Sequence, residues 1–415
     1  MDVLQIASLM IVLAGIFGSI NYFFLKLPAS IGILVVALIA SLSIMVLDVF
    51  LPGLELSSTI KTAVEGLEFS DTLLEGMLGL LLFAGALHVK LEDLREQAWT
   101  VALMATIGVG ISTAIAGLGL YFALGVPLLI ALVFGALISP TDPVAVLGVL
   151  REANLRKSLE TQIAGESLFN DGVGYVVFLF LVGIAFPLEA HGEASVGAAL
   201  ILFIKEALGG AALGFALGWL VFQMMKRIDD YPLEVLLSLG LAFGGYELAR
   251  MLGVSGPIMA VVAGLLIGDV GVKYGMSIVT REYLNAFWKL IDEILNALLF
   301  LLIGVEVFAV VFNQEIILAG ILGIFLSLVA RLAAVSLPIL MLSRWKNYRR
   351  DVIPIMTWGG LKGGISVALA LSVPENEYKP LILAITYIVV LFSIIVQGLT
   401  IAPLAKRLDR EKDLL

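Results

Sequence analysis

Long apolar runs separated by short polar stretches dominate the chain. Thirteen such runs are readable, near residues 3–25, 30–51, 72–89, 98–124, 127–150, 160–187, 195–226, 232–251, 256–271, 282–311, 315–343, 351–373 and 380–404. Many of them reach the ~20 residues a helix needs to span ~30 Å of hydrocarbon. The third and ninth runs are the weakest, being short or rich in glycine. The connections between runs are mostly short and leave no room for an inserted soluble domain. The pattern predicts an all-α polytopic membrane protein with about thirteen transmembrane helices over residues 1–405, followed by a short charged cytoplasmic tail, 406–415.

Composition strengthens that picture. Hydrophobic residues make up 60% of the 415 positions and charged residues only 14%, against roughly 45–50% and 25% in soluble domains. The 42 glycines fall mostly inside the apolar runs, where small residues let transmembrane helices approach closely. With no cysteine, disulfides, thiolate catalysis and cysteine metal sites are excluded. The two histidines, His88 and His191, lie near predicted span ends without metal-site spacing. The N-terminal run lacks a basic leader and a cleavage site, so it reads as a retained span.

The net charge of −9 says little by itself, but the placement of the basic residues says more. Loops after odd-numbered spans, with the tail, hold 18 of the 25 Lys and Arg residues, whereas loops after even-numbered spans hold only Lys61 and Lys379. Basic loops mark the cytoplasmic side. The split predicts an odd number of spans in a cell inner membrane, with the N-terminus outside and the C-terminus in the cytoplasm.

Polar groups inside spans are costly in hydrocarbon and mark function. Span five contains SPTDPVAV at 139–146, where Pro140 and Pro143 flank Thr141 and Asp142. Proline removes a backbone donor and clashes with the preceding turn, which predicts a broken helix with free carbonyls beside a carboxylate. Span six contains GESLFNDG at 165–172. Helical spacing puts Ser167 and Asp171 on one face, and Glu166 and Asn170 on the adjoining one. Span twelve contains WGGLKGG at 358–364, a second weak point around Lys362; the alternative is a close-packing glycine patch with Lys362 snorkelling to the cytoplasmic face. Spans five and twelve run antiparallel, and paired interruptions in opposing repeats point to a transporter site. Asp142 is placed to offset a positive half-helix end and Lys362 a negative one.

These segments, with SGPIMAVVAG at 255–264 and NALLFLLIG at 296–304, occur in an order that closely resembles bacterial sodium/proton antiporters of the monovalent cation:proton antiporter-1 family, relatives of the sodium/hydrogen exchangers. The resemblance covers nearly the whole chain, and the Asn170–Asp171 pair after Gly165, Glu166 and Ser167 is its most specific part. It implies a thirteen-helix fold with inverted repeats and two crossing broken helices. It also implies a core around spans 4–6 and 11–13, moving against a dimerisation region built from the remaining spans of a homodimer. Asp171 would bind sodium and proton alternately, with Ser167 and Thr141 supplying neighbouring oxygens. Asn170 and Asp142 would hold the crossing, and Glu166 would pair with Arg331 or Lys362. An Asn–Asp pair resembles the electroneutral branch, which exchanges one sodium for one proton. Two positions depart from the pattern: Lys362 stands where arginine is common, and Ala84 where an acid is common.

Hard monovalent cations prefer oxygen ligands, which Asp171, Ser167 and carbonyls near Thr141 provide. No cofactor and no nucleic acid are called for; the partners are membrane lipid, monovalent cations and protons. Lithium is a further candidate ion, and potassium in place of sodium stays open, because size selectivity rests on cavity geometry. Two remote alternatives are an intramembrane aspartyl protease using Asp142 and Asp171, and a passive channel.

Overall fold

The computed structural model describes residues 3–50, 72–142, 156–186, 196–310, 313–346 and 348–410. Lys61, Pro143, His191, residues 143–150 of predicted span five and residues 411–415 lie outside the described residues. Among those described, helices fall into thirteen consecutive runs. They are α1 (Val3–Ile20, extended by a π turn, Asn21–Leu25), α2 (Ala29–Phe50), α3 (Thr72–Leu87), α4 (Leu91–Leu124) and α5 (Leu128–Leu137). Next come α6 (Lys157–Ala185), α7 (Val196–Met225), α8 (Tyr231–Met251), α9 (Gly256–Tyr274), α10 (Ile278–Val305) and α11 (Gln314–Leu342). The twelfth run is split into α12a (Val352–Trp358) and α12b (Gly364–Leu371), and α13 covers Lys379–Arg410.

Eight of these helices are long and apolar enough to cross a membrane. The other five fall short for readable reasons. Helices α3 and α5 are short, α8 and α10 carry several charges, and α12 is interrupted. The structure differs from the sequence boundaries in three places. Helix α4 starts at Leu91, a turn and more before the apolar run, because its first residues include Glu92 and Asp93 at the positive helix end. Helix α5 stops at Leu137, well before Pro140. The last helix runs on to Arg410, past the expected start of the tail.

Small residues set the helix spacing. On α7, Gly210 and Gly214 sit against the backbone carbonyls of Ser255 and Met259, and a Cβ at either position would lie 2.4 or 2.5 Å from that oxygen. Gly218 continues the same stripe against Ala263. Close backbone approach of this kind replaces the hydrophobic drive that lipid cannot supply. Between α4 and α5, Gly135 faces the Thr113 carbonyl and Gly117 faces Ala131 and Leu132. Thr113 also reaches Ser139 at 3.2 Å, which tethers the end of α5 to α4.

The helix ends and segments at the junctions after odd-numbered helices are tied to one another. Arg156 meets Asp351 at 2.6 Å, Lys157 meets Asp93 at 2.8 Å, and Lys273 meets Glu92 at 2.8 Å. Lys346 donates to the Glu96 carbonyl and to Gln97 Oε1. The segments after α3, α5, α9 and α11 therefore share one face of the bundle. Lys379, from a loop after an even-numbered helix, pairs locally with Glu375.

Replacing Gly135 by alanine forces a methyl against the Thr113 carbonyl, 2.2 Å from the added carbon. Overpacking of this kind costs about 1–3 kcal/mol. Thermal unfolding of the purified Gly135→Ala protein in detergent is expected to fall by several degrees; an unchanged transition would show that α4 and α5 can part freely here.

Candidate functional site

The site begins with two helices that stop inside the bundle. Helix α5 ends at Leu137, and residues 139–142 leave it without helical hydrogen bonds. Helix α12a ends at Trp358, and α12b resumes at Gly364. Each interruption exposes backbone donors and acceptors where water is scarce, so each must be satisfied from within the protein.

The two interruptions satisfy each other. The Asp142 amide donates to the Leu361 carbonyl at 2.8 Å. Lys362 is 3% exposed, and its ammonium donates to the carbonyls of Ser139 at 3.0 Å and Pro140 at 3.3 Å. Lys362 therefore faces the negative C-terminal end of α5, as its charge favours. It does not snorkel to the cytoplasmic face. The glycines beside it serve close approach: a Cβ at Gly363 would lie 2.5 Å from Asp142, one at Gly364 2.4 Å from Leu299, and one at Gly360 2.1 Å from Arg331 Nε. The glycine patch and the buried cation are one feature.

Helix α6 supplies the carboxylates. Its Gly174 makes room for the Pro140 ring; a Cβ there would lie 2.7 Å from that ring. Asn170 Nδ2 donates to Thr141 Oγ1 at 2.9 Å, and the Thr141 amide donates to Asn170 Oδ1 at 3.3 Å. Thr141 Oγ1 lies 3.0 Å from Ser167 Oγ. Thus Asn170 clasps the unwound segment through both ends of its amide, and Ser167 meets the same threonine hydroxyl. Asp171 is 5% exposed, and its Oδ1 is buried with no hydrogen-bond partner among the described residues. It lies within electrostatic reach of Asp142 and Lys362.

Glu166 points the other way, to Arg331 of α11. The pair is bidentate: Arg331 Nη1 to Glu166 Oε1, and Nη2 to Oε2 at 2.8 Å. The structure thus chooses Arg331 over Lys362 as the partner of Glu166, because Lys362 is held by the α5 carbonyls. Arg331 also donates from Nε and Nη2 to the Met356 carbonyl at 3.2 and 3.0 Å. That carbonyl belongs to the last turn of α12a, so both half-helices that end here are met by a buried cation at the C-terminal end. The planar fork of arginine makes two such contacts at once, which lysine cannot do.

All eight residues singled out from the sequence meet in this region. Sequence reasoning missed two others, Ser393 and Gln397 on α13, which satisfy the α12 interruption. The signal was there: two polar residues four apart in an otherwise apolar run. Ala84, where the resemblance leads one to expect an acid, is fully buried and its carbonyl accepts from His88 Nδ1 at 2.7 Å.

Removing one partner of a buried ion pair leaves an uncompensated charge and costs about 3–5 kcal/mol. Arg331→Met is expected to destabilise by that order, and adding Glu166→Gln to recover much of the loss. A double-mutant cycle on unfolding in detergent checks this; strictly additive losses would mean the two residues do not act as a pair.

Comparison with known proteins agrees with this architecture. The model of a family described as sodium/hydrogen exchanger, transmembrane, matches residues 6–407. The Na(+)/H(+) antiporter NhaP of Pseudomonas aeruginosa is 47% identical, over 98% of this chain and 97% of that protein. The Na(+)/H(+) antiporter NhaH of Halobacillus dabanensis is 38% identical, over 92% of this chain and 93% of that protein. The solved structure of the sodium proton antiporter MjNhaP1 from Methanocaldococcus jannaschii at pH 8 matches with a TM-score of 0.77 at 21% identity, covering 97% of each chain, a likeness of fold. The interrupted helices, the Asn170–Asp171 pair and these relatives lead to one conclusion: the chain is a multi-pass membrane protein of the sodium/hydrogen exchanger family.

Proposed function

We propose that this protein exchanges sodium for protons across the membrane, with Asp171 carrying either ion in turn. The relatives that match nearly the whole chain bear the name Na(+)/H(+) antiporter, which supports the reaction. The observation that carries the assignment of the site is Asp171 itself. It is a buried carboxylate with one unpartnered oxygen among the described residues, set beside the hydroxyls of Ser167 and Thr141 at the meeting of two broken helices.

The chemistry follows from the cost of a bare charge. An ionised carboxylate in a low-dielectric interior is unfavourable unless it is neutralised. A proton neutralises Asp171 by forming an O–H bond. A sodium ion does so by coordination, with Ser167, Thr141 and nearby carbonyls completing an oxygen shell. The two ions compete for the same oxygens, so binding one displaces the other. If the empty, charged site cannot cross the barrier, uptake of one ion is tied to release of the other without any coupling over distance.

The remaining charges hold still while this happens. Lys362 is committed to the α5 carbonyls, and Glu166 to Arg331. With Asp171 as the one carboxylate assigned to carry an ion, the reading is one sodium per proton and no net charge moved. Thirteen spans arranged as inverted repeats, with α4–α6 and α11–α13 as a core moving against the other helices, would give the alternating access this requires. The basic loops gathered on one face favour an inner membrane orientation with the C-terminus in the cytoplasm. A homodimer through the static helices completes the proposal.

In proteoliposomes, Asp171→Asn is expected to abolish sodium-driven proton flux while the protein stays folded. Robust flux from the folded variant would sink the role of Asp171. Steady-state exchange by the wild-type protein is expected to ignore the membrane potential; a proportional change with clamped voltage would overturn the one-for-one stoichiometry. Running the same assay with lithium and potassium salts reads the ion preference directly.

A further inference from the structure

The helix that follows each broken helix clamps it. On the α5 side, Asn170 of α6 accepts from the Thr141 amide, 29 residues earlier in the chain. On the α12 side, Ser393 of α13 accepts from the Lys362 amide at 2.8 Å, 31 residues earlier. Both clamps take an N–H from an unwound stretch. Both come from the next helix at nearly the same distance in sequence. The α13 clamp has a second member: Ser393 Oγ donates to Gln397 Oε1 at 2.6 Å, and Gln397 Nε2 donates to the Trp358 carbonyl at 3.1 Å.

The chain of donors runs in one direction, from the Lys362 amide through Ser393 and Gln397 to Trp358. It therefore satisfies a donor in the gap and an acceptor at the end of α12a, the two kinds of group an interrupted helix leaves unpaired. Ser393 and Gln397 are 1% and 3% exposed, so water does not supply these bonds instead. They bound a π turn, Ser393–Gln397, within α13; such turns in α-helices are frequent at functional sites. Trp358 is held from the same helix a second time, by its indole N–H on Thr400 Oγ1 at 2.8 Å.

We propose that Ser393 and Gln397 are positioning residues for ion exchange, the α13 counterpart of Asn170. They fix the backbone of residues 358–362 so that the Lys362 ammonium stays on the Ser139 and Pro140 carbonyls beside the ion site. They touch neither ion. The proposal rests on the reading of Asp171 as the carrier, and its consequence is specific. Loosening the clamp lets Lys362 wander and slows the passage of the loaded site, but leaves the oxygens around Asp171 in place.

The test compares wild type, Ser393→Ala, Ser393→Thr and Gln397→Met in proteoliposomes. Loss of a buried hydrogen bond at this point is expected to lower turnover about tenfold in the alanine and methionine variants. The sodium KM should stay within about twofold of wild type, since its ligands are untouched. Threonine, which keeps the hydroxyl, should restore most of the rate. Wild-type turnover in Ser393→Ala, a matching rise in KM, or no rescue by threonine would overturn the proposal. Hydrogen exchange on the wild-type protein needs no variant: the Lys362 amide should be as protected as amides inside α13 although it lies in no helix, and fast exchange there would overturn the clamp. That measurement is blind to transport, so inactive wild-type protein would count against the exchange reading and leave the clamp to be judged separately.

Discussion

Everything at the centre of this protein follows from the cost of leaving a peptide group unpaired in hydrocarbon. A continuous helix pairs its own backbone, and an interrupted one cannot. By interrupting two helices at the same place, the fold creates a set of carbonyls and amides that only the other interruption and its neighbours can answer. Lys362 answers the end of α5, Arg331 the end of α12a, Asn170 and Ser393 the amides in the gaps, and Asp142 and Leu361 answer each other across the crossing. The strength of the arrangement is its closure. Among the buried oxygens that no hydrogen bond reaches, Asp171 Oδ1 is the carboxylate oxygen beside the crossing, the group best suited to take a small cation or a proton.

The charges sort into two kinds. Glu166 and Arg331 neutralise one another through two parallel bonds, with the guanidinium also gripping α12a. Such a pair is a strut whose partners are costly to separate. Lys362 has no carboxylate bonded to it among the described residues; it is balanced by helix-end carbonyls and by the fields of Glu166 and Asp171. A cation held by dipoles rather than by an anion leaves the nearby Asp171 free to be neutralised by something mobile. Had Lys362 formed an ion pair with Asp171, sodium would have had to displace a fixed ammonium.

Much of this was legible in the sequence, for physical reasons. Apolar length gave the spans, Pro140 and the glycines around Lys362 gave the breaks, and helical spacing separated Ser167 and Asp171 from Glu166 and Asn170. What stayed hidden depended on how helices far apart in the chain are rotated against each other. The family resemblance left Glu166 either Arg331 or Lys362 as its partner, and only the packing of α11 against α12a decides. The same holds for Ser393 and Gln397. Neither carries a charge, so neither drew notice in an apolar span, yet each faces the one stretch of backbone that needs it. The early start of α4 was missed because its first turn is acidic and reads as loop until its ion pairs with Lys157 and Lys273 are seen.

The carbonyl of Ser139 and the ammonium that answers it are 223 residues apart in the chain. As the protein emerges from a ribosome, the first interruption is therefore made long before its partner exists. Until then the end of α5 lacks the ammonium that meets it, and the two interruptions can close on each other only after α12 has been made. A nascent chain cut short before that point would carry α5 and α6 with the carboxylates but would lack Lys362 to meet the end of α5. The meeting of the two interruptions beside Asp171 is thus among the last features of the fold to be assembled.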